Sequence, residues 1–485
     1  MKKIIKSLLS LALCLIMVFP MGCSRQPVKP IGPSYDSEEE QSFINSFNPA
    51  DYPVKDSVNV VAQVCGYGVD WLKEMAKYYE KITGITVSVK ESPSASQDIV
   101  NKIGGGDAPA DLYFDWASSS QWNQWAAKGD IEDLTDLVEQ VAPIRDDIVK
   151  STVSYNGKVY LMPFAYPPTG FVYNQNYLDQ IASKGEYEQG KWPTSWQGLL
   201  DLCQATIESD LMAGGDKVQP FTMSGAVAAD MNYIFKSLWA QIDYEGFRDY
   251  WEYDGRENYP STLFNTNAVN TAMQSIRDLL QPQKAKNGKW YPANCVTGSA
   301  GFTNIQAETQ FLHGASVFVI SGSWFENEMS SLLDGKDFYR FGKVPLVDSS
   351  KQSVSNINLP GEHFTVPKNS KNAAGAKQFL KFLLQPQSLQ RIHNMIQTPL
   401  SYVYDTSTLK LNDWGKQILE AVETSKGTIC WSDSKVMQSE ALTIFKTDKP
   451  FVKMATEGAL VADLIEAEIA ECSSRFSDFI EFIPE

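Results

Sequence analysis

The side chains able to do chemistry in this chain are mostly aromatic rings and carboxylates, and their spacing does not make a reaction centre. An enzyme needs a nucleophile, an acid–base pair or a metal set at workable spacing. The three histidines, His313, His363 and His393, share no motif with one another or with cysteine, so no metal site and no cofactor is indicated. There is no G-x-S-x-G elbow, and Gly104-Gly105-Gly106 lacks the Lys-Ser/Thr of a phosphate loop, so it reads as a turn. Cys65, Cys203, Cys295, Cys430 and Cys472 are scattered without C-x-x-C pairing; they form no disulfide framework, and their odd number leaves at least one free thiol. Asp115 and Glu326 are the two carboxylates that a glycoside hydrolase would have to place on either side of a glycosidic bond. The chain also carries twelve tryptophans.

The elements that must position these groups alternate between strand and helix. Val58, Val60, Val61 and Val64 make a short strand. After Cys65-Gly66-Tyr67-Gly68, Asp70 caps a helix carrying Trp71, Leu72, Met75, Tyr79 and Ile82 at helical spacing, and Gly84 ends it. Residues 85–89 alternate as a strand, giving the β-α-β unit of a parallel sheet. A helix near 98–103 and a strand at 110–114 repeat the pattern and lead into Asp115-Trp116, whose place at a strand's carboxyl end faces the expected crevice. Tyr67 and Trp71 follow the first strand at the same edge, although Trp71 is equally the first apolar position of its helix. Asn156-Gly157 marks a hairpin turn, and the Pro-rich stretch 162–170, with Tyr166 in it, carries the chain into a second α/β region before a strand at 171–174. Helices follow at 195–207, 229–242 and 268–280, then strands at 315–320 and 363–366. Last comes a helix with Ala373, Ala376, Phe379, Leu380 and Leu383 on one face, stopped before Pro386. No internal repeat is present.

At 485 residues, 43% apolar and 21% charged, the chain is too long for one core and reads as two soluble lobes. Its formal charge is −16, and loss of Lys2, Lys3 and Lys6 with a leader would make it −19; that repels nucleic acid and an anionic bilayer alike. The start is an export signal: three lysines, an apolar stretch at 8–20 too short to span a bilayer, then Met21-Gly22-Cys23. That junction resembles a bacterial lipobox, with Pro20 where an aliphatic residue is usual. It implies cleavage after residue 22, diacylglycerol on Cys23 and attachment to the outer face of the cell membrane through lipid alone. Residues 24–56, with Pro27, Pro30, Pro33 and the run Glu38-Glu39-Glu40, read as a flexible tether, and folded structure is expected from about Ser57.

A set of ordered segments resembles the extracellular solute-binding proteins of the maltose-binding-protein type. They are Tyr79-Glu80-Lys81-Ile82-Thr83-Gly84-Ile85, Gly106-Asp107-Ala108-Pro109-Ala110-Asp111, Asn156-Gly157-Lys158-Val159-Tyr160 with Pro163, and Tyr173-Asn174-Gln175. Pro193-Thr194-Ser195-Trp196 follows, then Phe311-Leu312-His313-Gly314-Ala315 leading to Ser321-Gly322-Ser323-Trp324, and Val366-Pro367-Lys368-Asn369-Ser370-Lys371. The resemblance implies a periplasmic-binding-protein-like α/β fold: two lobes joined by crossing hinge strands, closing on a ligand in the cleft. One lobe would be 57–165 plus 362–400, the other 166–361 plus 401–485. It implies the substrate-binding component of an ABC importer, a monomer that captures a mono- or oligosaccharide, delivers it to membrane permeases and catalyses nothing. A surface sugar sensor of the same fold is the alternative. Trp324 matches the family position that stacks on sugar, and Tyr233, in Met231-Asn232-Tyr233-Ile234-Phe235, a second stacking position. Asp115 and Trp116 stand where the first lobe supplies polar and aromatic contacts, and Tyr166 lies at the crossover. Glu326, Glu362 and His363 are further candidates.

Overall fold

The computed structural model describes residues 31–105, 110–116, 121–184, 187, 190–251, 264–357, 361–430 and 449–480. The leader, Cys23, the Gly106-Asp107-Ala108-Pro109 segment and Pro360 lie outside the described residues.

Along the chain come α1 (Ser37–Asn45), β1 (Val58–Gln63), α2 (Asp70–Thr83), β2 (Val87–Ser92), α3 (Ala95–Gly105), β3 (Leu112–Trp116), β4 (Met162–Pro163) and β5 (Thr169–Asn174). Then come β6 (Gln219–Thr222), α4 (Ala228–Ile242), α5 (Asn304–Leu312), β7 (Ser316–Gly322), α6 (Phe325–Glu328), β8 (Tyr339–Gly342) and β9 (Val354–Ile357). The elements that bear on the site end with β10 (Glu362–Thr365), α7 (Ala373–Leu383), α8 (Pro386–Ile396), α9 (Asp413–Glu423) and β11 (Gly427–Cys430).

Two sheets organise them. The first runs β2-β1-β3-β10-β4, with β1 parallel to β2 and β3, and β10 antiparallel to β3 and β4. The second runs β6-β7-β5-β8, parallel between β6 and β7 and antiparallel elsewhere. Each buries its own core, as a chain of this length requires. One core gathers Phe43 through Ala165 with Phe364 through Tyr402; the other side holds Tyr166 through Ile357 and returns for residues of α9 and beyond, with Val149 joining it from the first stretch. Two α/β lobes result. The chain passes between them at several adjacent places, tied by isolated bridges Ala165↔Leu400 and Pro168↔Ile357 and by Tyr166 N–H donating to the Pro399 carbonyl at 2.7 Å.

Local chemistry explains most element ends. Gly84 closes α2 in the left-handed conformation at φ 74°, which glycine adopts without a Cβ penalty. Asn156 and Gly157, both at positive φ, make the hairpin turn between short strands at Ser154–Tyr155 and Lys158–Val159. Asp70 is the first residue of α2 and makes no side-chain cap; Val69 precedes it as the N-cap. Gly104 and Gly105, expected in a turn, complete the last turn of α3.

The expected tether is folded over much of its length. Asp36 caps α1 and Glu39 returns the bond to the Asp36 N–H, a complete capping box, so the acidic run at 38–40 is a helix's first turn, where negative charge suits the dipole. Phe43, Phe47 and Tyr52 are buried in the first core. The Arg391 guanidinium of α8 lies 3.7 Å from the Tyr35 ring and 4.2 Å from that of Phe43, fastening the segment down. Polar composition suggested a free spacer; three spaced aromatics decided otherwise.

Candidate functional site

The carboxyl ends of β1 and β3 and the start of β10 form one wall. Register sets Glu362 opposite Trp116 and His363 opposite Asp115. His363 Nε2 lies 3.4 Å from Asp115 Oδ1, and its Nδ1 is 3.0 Å from the Gly361 carbonyl oxygen. The turn after β1 completes the wall: the Tyr67 N–H donates to the Glu362 carboxylate, and Gly66 precedes Tyr67 in that turn.

The facing wall is built on β7. Its end, Gly322-Ser323, turns into Trp324 and the single turn α6. Glycine is needed at 322, because a Cβ there would sit 2.1 Å from the Trp324 ring. The turn is held by bonds around Ser323: its N–H donates to the Pro168 carbonyl at 3.0 Å, and its carbonyl accepts from Trp414 Nε1 at 3.2 Å. Tyr233, on α4, meets the Trp324 ring edge-on with centroids 6.0 Å apart.

The walls touch. A Cβ on Gly66 would come within 2.8 Å of Trp324 Cβ, and the Tyr67 and Ser323 hydroxyls are hydrogen-bonded at 2.7 Å. Trp324 is partly buried, with Gly66 of one lobe and Tyr233 of the other at its sides.

The surroundings are acidic. Asp115, Asp230, Glu308 and Glu362 are each more than nine-tenths buried. Burial pushes Glu362 up to about 8 and Asp230 up to about 7, with the negative charge of Glu328 adding to both. Asp230 also accepts a hydrogen bond from Ser224. Burial raises Asp115 too, and His363 and the Ser96 hydroxyl only partly offset it. Glu308 accepts from Ser321 at 2.6 Å, and burial together with the like charge of Glu328 pushes it well up.

Of the expected residues, the structure brings Trp324, Tyr233, Tyr67, Asp115, Trp116, Glu362 and His363 to this seam. Three are placed elsewhere. Trp71 is core: 4% exposed, stacked on Phe164 at 4.1 Å and edge-on to Phe114 and Phe364, it has no face left for a ligand. Glu326 turns into the seam with α9, where Tyr339 donates to it at 2.7 Å and Asn412 at 2.9 Å. Tyr166 is a hinge strut, 2% exposed, its hydroxyl 2.9 Å from that of Thr428 and its ring under Arg145 at 4.4 Å.

Sequence reasoning missed Glu328, Asp230, Glu308 and Ser323. Periodicity held a signal for two of them. Glu328 is four residues after Trp324, and its N–H donates to the Trp324 carbonyl, so the two share a helix side while Glu326 does not. Asp230 stands one turn before Tyr233. Glu308 offered no such signal, being brought in by the packing of α5 on β7.

Residues 74–406 match the family model described as bacterial extracellular solute-binding protein. The diacetylchitobiose-binding protein NgcE of Streptomyces coelicolor is 22% identical over 425 residues, covering 83% of this chain and 80% of that protein. Among solved structures, RafE in complex with raffinose is 17% identical with a TM-score of 0.62, covering 87% of this chain and 99% of that one. AcbH, a solute receptor described as preferring β-D-galactopyranose exclusively, is 16% identical with a TM-score of 0.66, covering 87% and 100%. These likenesses establish the two-lobed periplasmic-binding-protein fold, and the matched family model spans most of the chain. By that match, this chain belongs to the bacterial extracellular solute-binding proteins.

Proposed function

We propose that this protein is the extracellular ligand-capturing component of an ABC importer, anchored through lipid on Cys23, and that it takes a saccharide between its lobes without transforming it. In this reading the lobes are 57–165 plus 362–400 and 166–361 plus 401–485, with α1 joined to the first, and membrane permeases receive the ligand. The observation that carries it is Trp324: an aromatic ring beside the opposite lobe's Gly66 and its own lobe's Tyr233, at a seam that also holds buried carboxyls. An aromatic face with convergent acceptors is what a sugar's C–H face and hydroxyls require. Relatives named for diacetylchitobiose, raffinose and galactopyranose support the ligand class. A hydrolase would need Asp115 and Glu326 across one bond, but Glu326 is committed to Tyr339 and Asn412.

A thermal-shift screen across mono- and oligosaccharides tests the reading, since a ligand that binds only the folded state raises its melting temperature. Trp324→Ala should abolish most of the shift and leave the unliganded melting temperature nearly unchanged. Cleavage products from any oligosaccharide, or a failure of every saccharide to shift the wild type, would sink it.

A further inference from the structure

The seam holds more carboxyl groups than hydroxyl recognition needs. Glu362 and Asp115 on one lobe and Glu328, Glu308 and Asp230 on the other converge on it. The Glu328 charge is felt across the cleft by Cys65, Tyr67 and Glu362 and on its own side by Asp230, Tyr233 and Glu308, in each case after burial itself. Among the described residues, the cationic candidate found beside these carboxyls is His363, next to Asp115.

A second observation is independent of the count. Glu362, 6% exposed, has an oxygen, Oε1, with no hydrogen-bond donor, whereas Asp115 Oδ1 has His363 Nε2 at 3.4 Å. Buried carboxylate oxygens are ordinarily satisfied, and leaving one bare is costly. Glu362 belongs to the wall that faces Trp324. A hydroxyl would answer one such oxygen with one bond, whereas an ammonium brings three donors and a positive charge.

Building on the saccharide reading above, we infer that the preferred ligand is an amine-bearing sugar, its ring on Trp324 and its ammonium against Glu362 on the first lobe. Closure then brings Glu328 toward the same charge from the second lobe, so the ammonium gains from both walls only when they meet.

The test is calorimetry at pH 7 on the full folded protein with four probes: β-1,4-linked glucosamine oligomers, the N-acetylated oligomers of equal length, glucose oligomers of equal length, and spermidine. Charge-assisted bonds are about twice as strong as neutral ones, so the glucosamine series should bind at least about tenfold tighter than either neutral series. Glu362→Gln, which keeps the side chain's shape and the bond from Tyr67, should narrow that gap at least about fivefold. A neutral series binding as tightly as the amine series would overturn this inference and leave the saccharide reading standing; so would a gap unchanged in Glu362→Gln. Binding of spermidine alone would overturn both, and binding of none of the four would overturn this inference.

Discussion

Gly66 is where one methyl group should separate closing from folding. Its φ lies outside the left-handed region, so alanine fits the local backbone, but the added Cβ would stand 2.8 Å from Trp324 Cβ and 3.1 Å from Cγ. Carbon atoms rest about 3.5–4.0 Å apart. The obstructing atom is a Cβ fixed to the main chain of the opposite wall, so no side-chain rotation clears it. Overpacking of this kind costs about 1–3 kcal/mol. If the cost falls on the closed form alone, Gly66→Ala should weaken ligand binding by about five- to 150-fold. The open form carries no clash, and replacing glycine in an ordinary conformation stabilises by about 0.4–1 kcal/mol, so the unliganded melting temperature should hold or rise. Calorimetry for affinity and calorimetric melting of the free protein read the two quantities separately. Wild-type affinity in Gly66→Ala would refute closure onto Trp324. A large fall in free-state stability would show that the Gly66–Trp324 contact is permanent core rather than a closing surface.

Tyr67→Phe removes the hydroxyl that meets Ser323 at 2.7 Å; one such bond is worth about 0.5–1.5 kcal/mol, so affinity should fall about two- to thirteenfold. Adding Ser323→Ala should then cost little more, and full additivity in the double-mutant cycle would show that the pair is not a latch. Stability should also fall as pH rises: Glu362 and Asp230 keep protons up to about 8 and about 7 when folded, while the unfolded chain releases them near pH 4. Between those limits the folded state binds more protons, so by linkage the unliganded melting temperature should be higher at pH 5.5 than at pH 8, and Glu362→Gln should flatten the slope. A flat wild-type profile would remove the claim that these carboxyls are held neutral.

Much of the frame was legible because it is written in periodicity and in special backbone residues. The valines of β1, the helical spacing from Trp71 to Ile82, Gly84 and Asn156-Gly157 each name a local conformation that tertiary packing had no reason to override. The stop at Gly322-Ser323-Trp324 was legible through the family resemblance. Side-chain destinations were harder. Trp71 sits beside the expected crevice in sequence, yet its helix points it inward onto Phe164, as the apolar spacing of its neighbours already indicated. Glu326 and Glu328 differ by two positions on one helical turn, and two positions reverse the side they face. Tyr166 became a strut because Thr428 and Arg145, far away in sequence, arrive on either side of it. The segment around Phe43 was hidden by its acids; the aromatics buried beneath it find their partners in α2 and α7, which no local pattern reveals.

Small-angle scattering on the free and saccharide-saturated protein, with Gly66→Ala measured beside it, tests the central mechanism most directly. The wild type should become more compact on saturation, and Gly66→Ala should need an about five- to 150-fold higher ligand concentration to reach the same compaction. A wild type whose scattering is unchanged at saturation would contradict the account, because the ligand would then be held without drawing the two walls together.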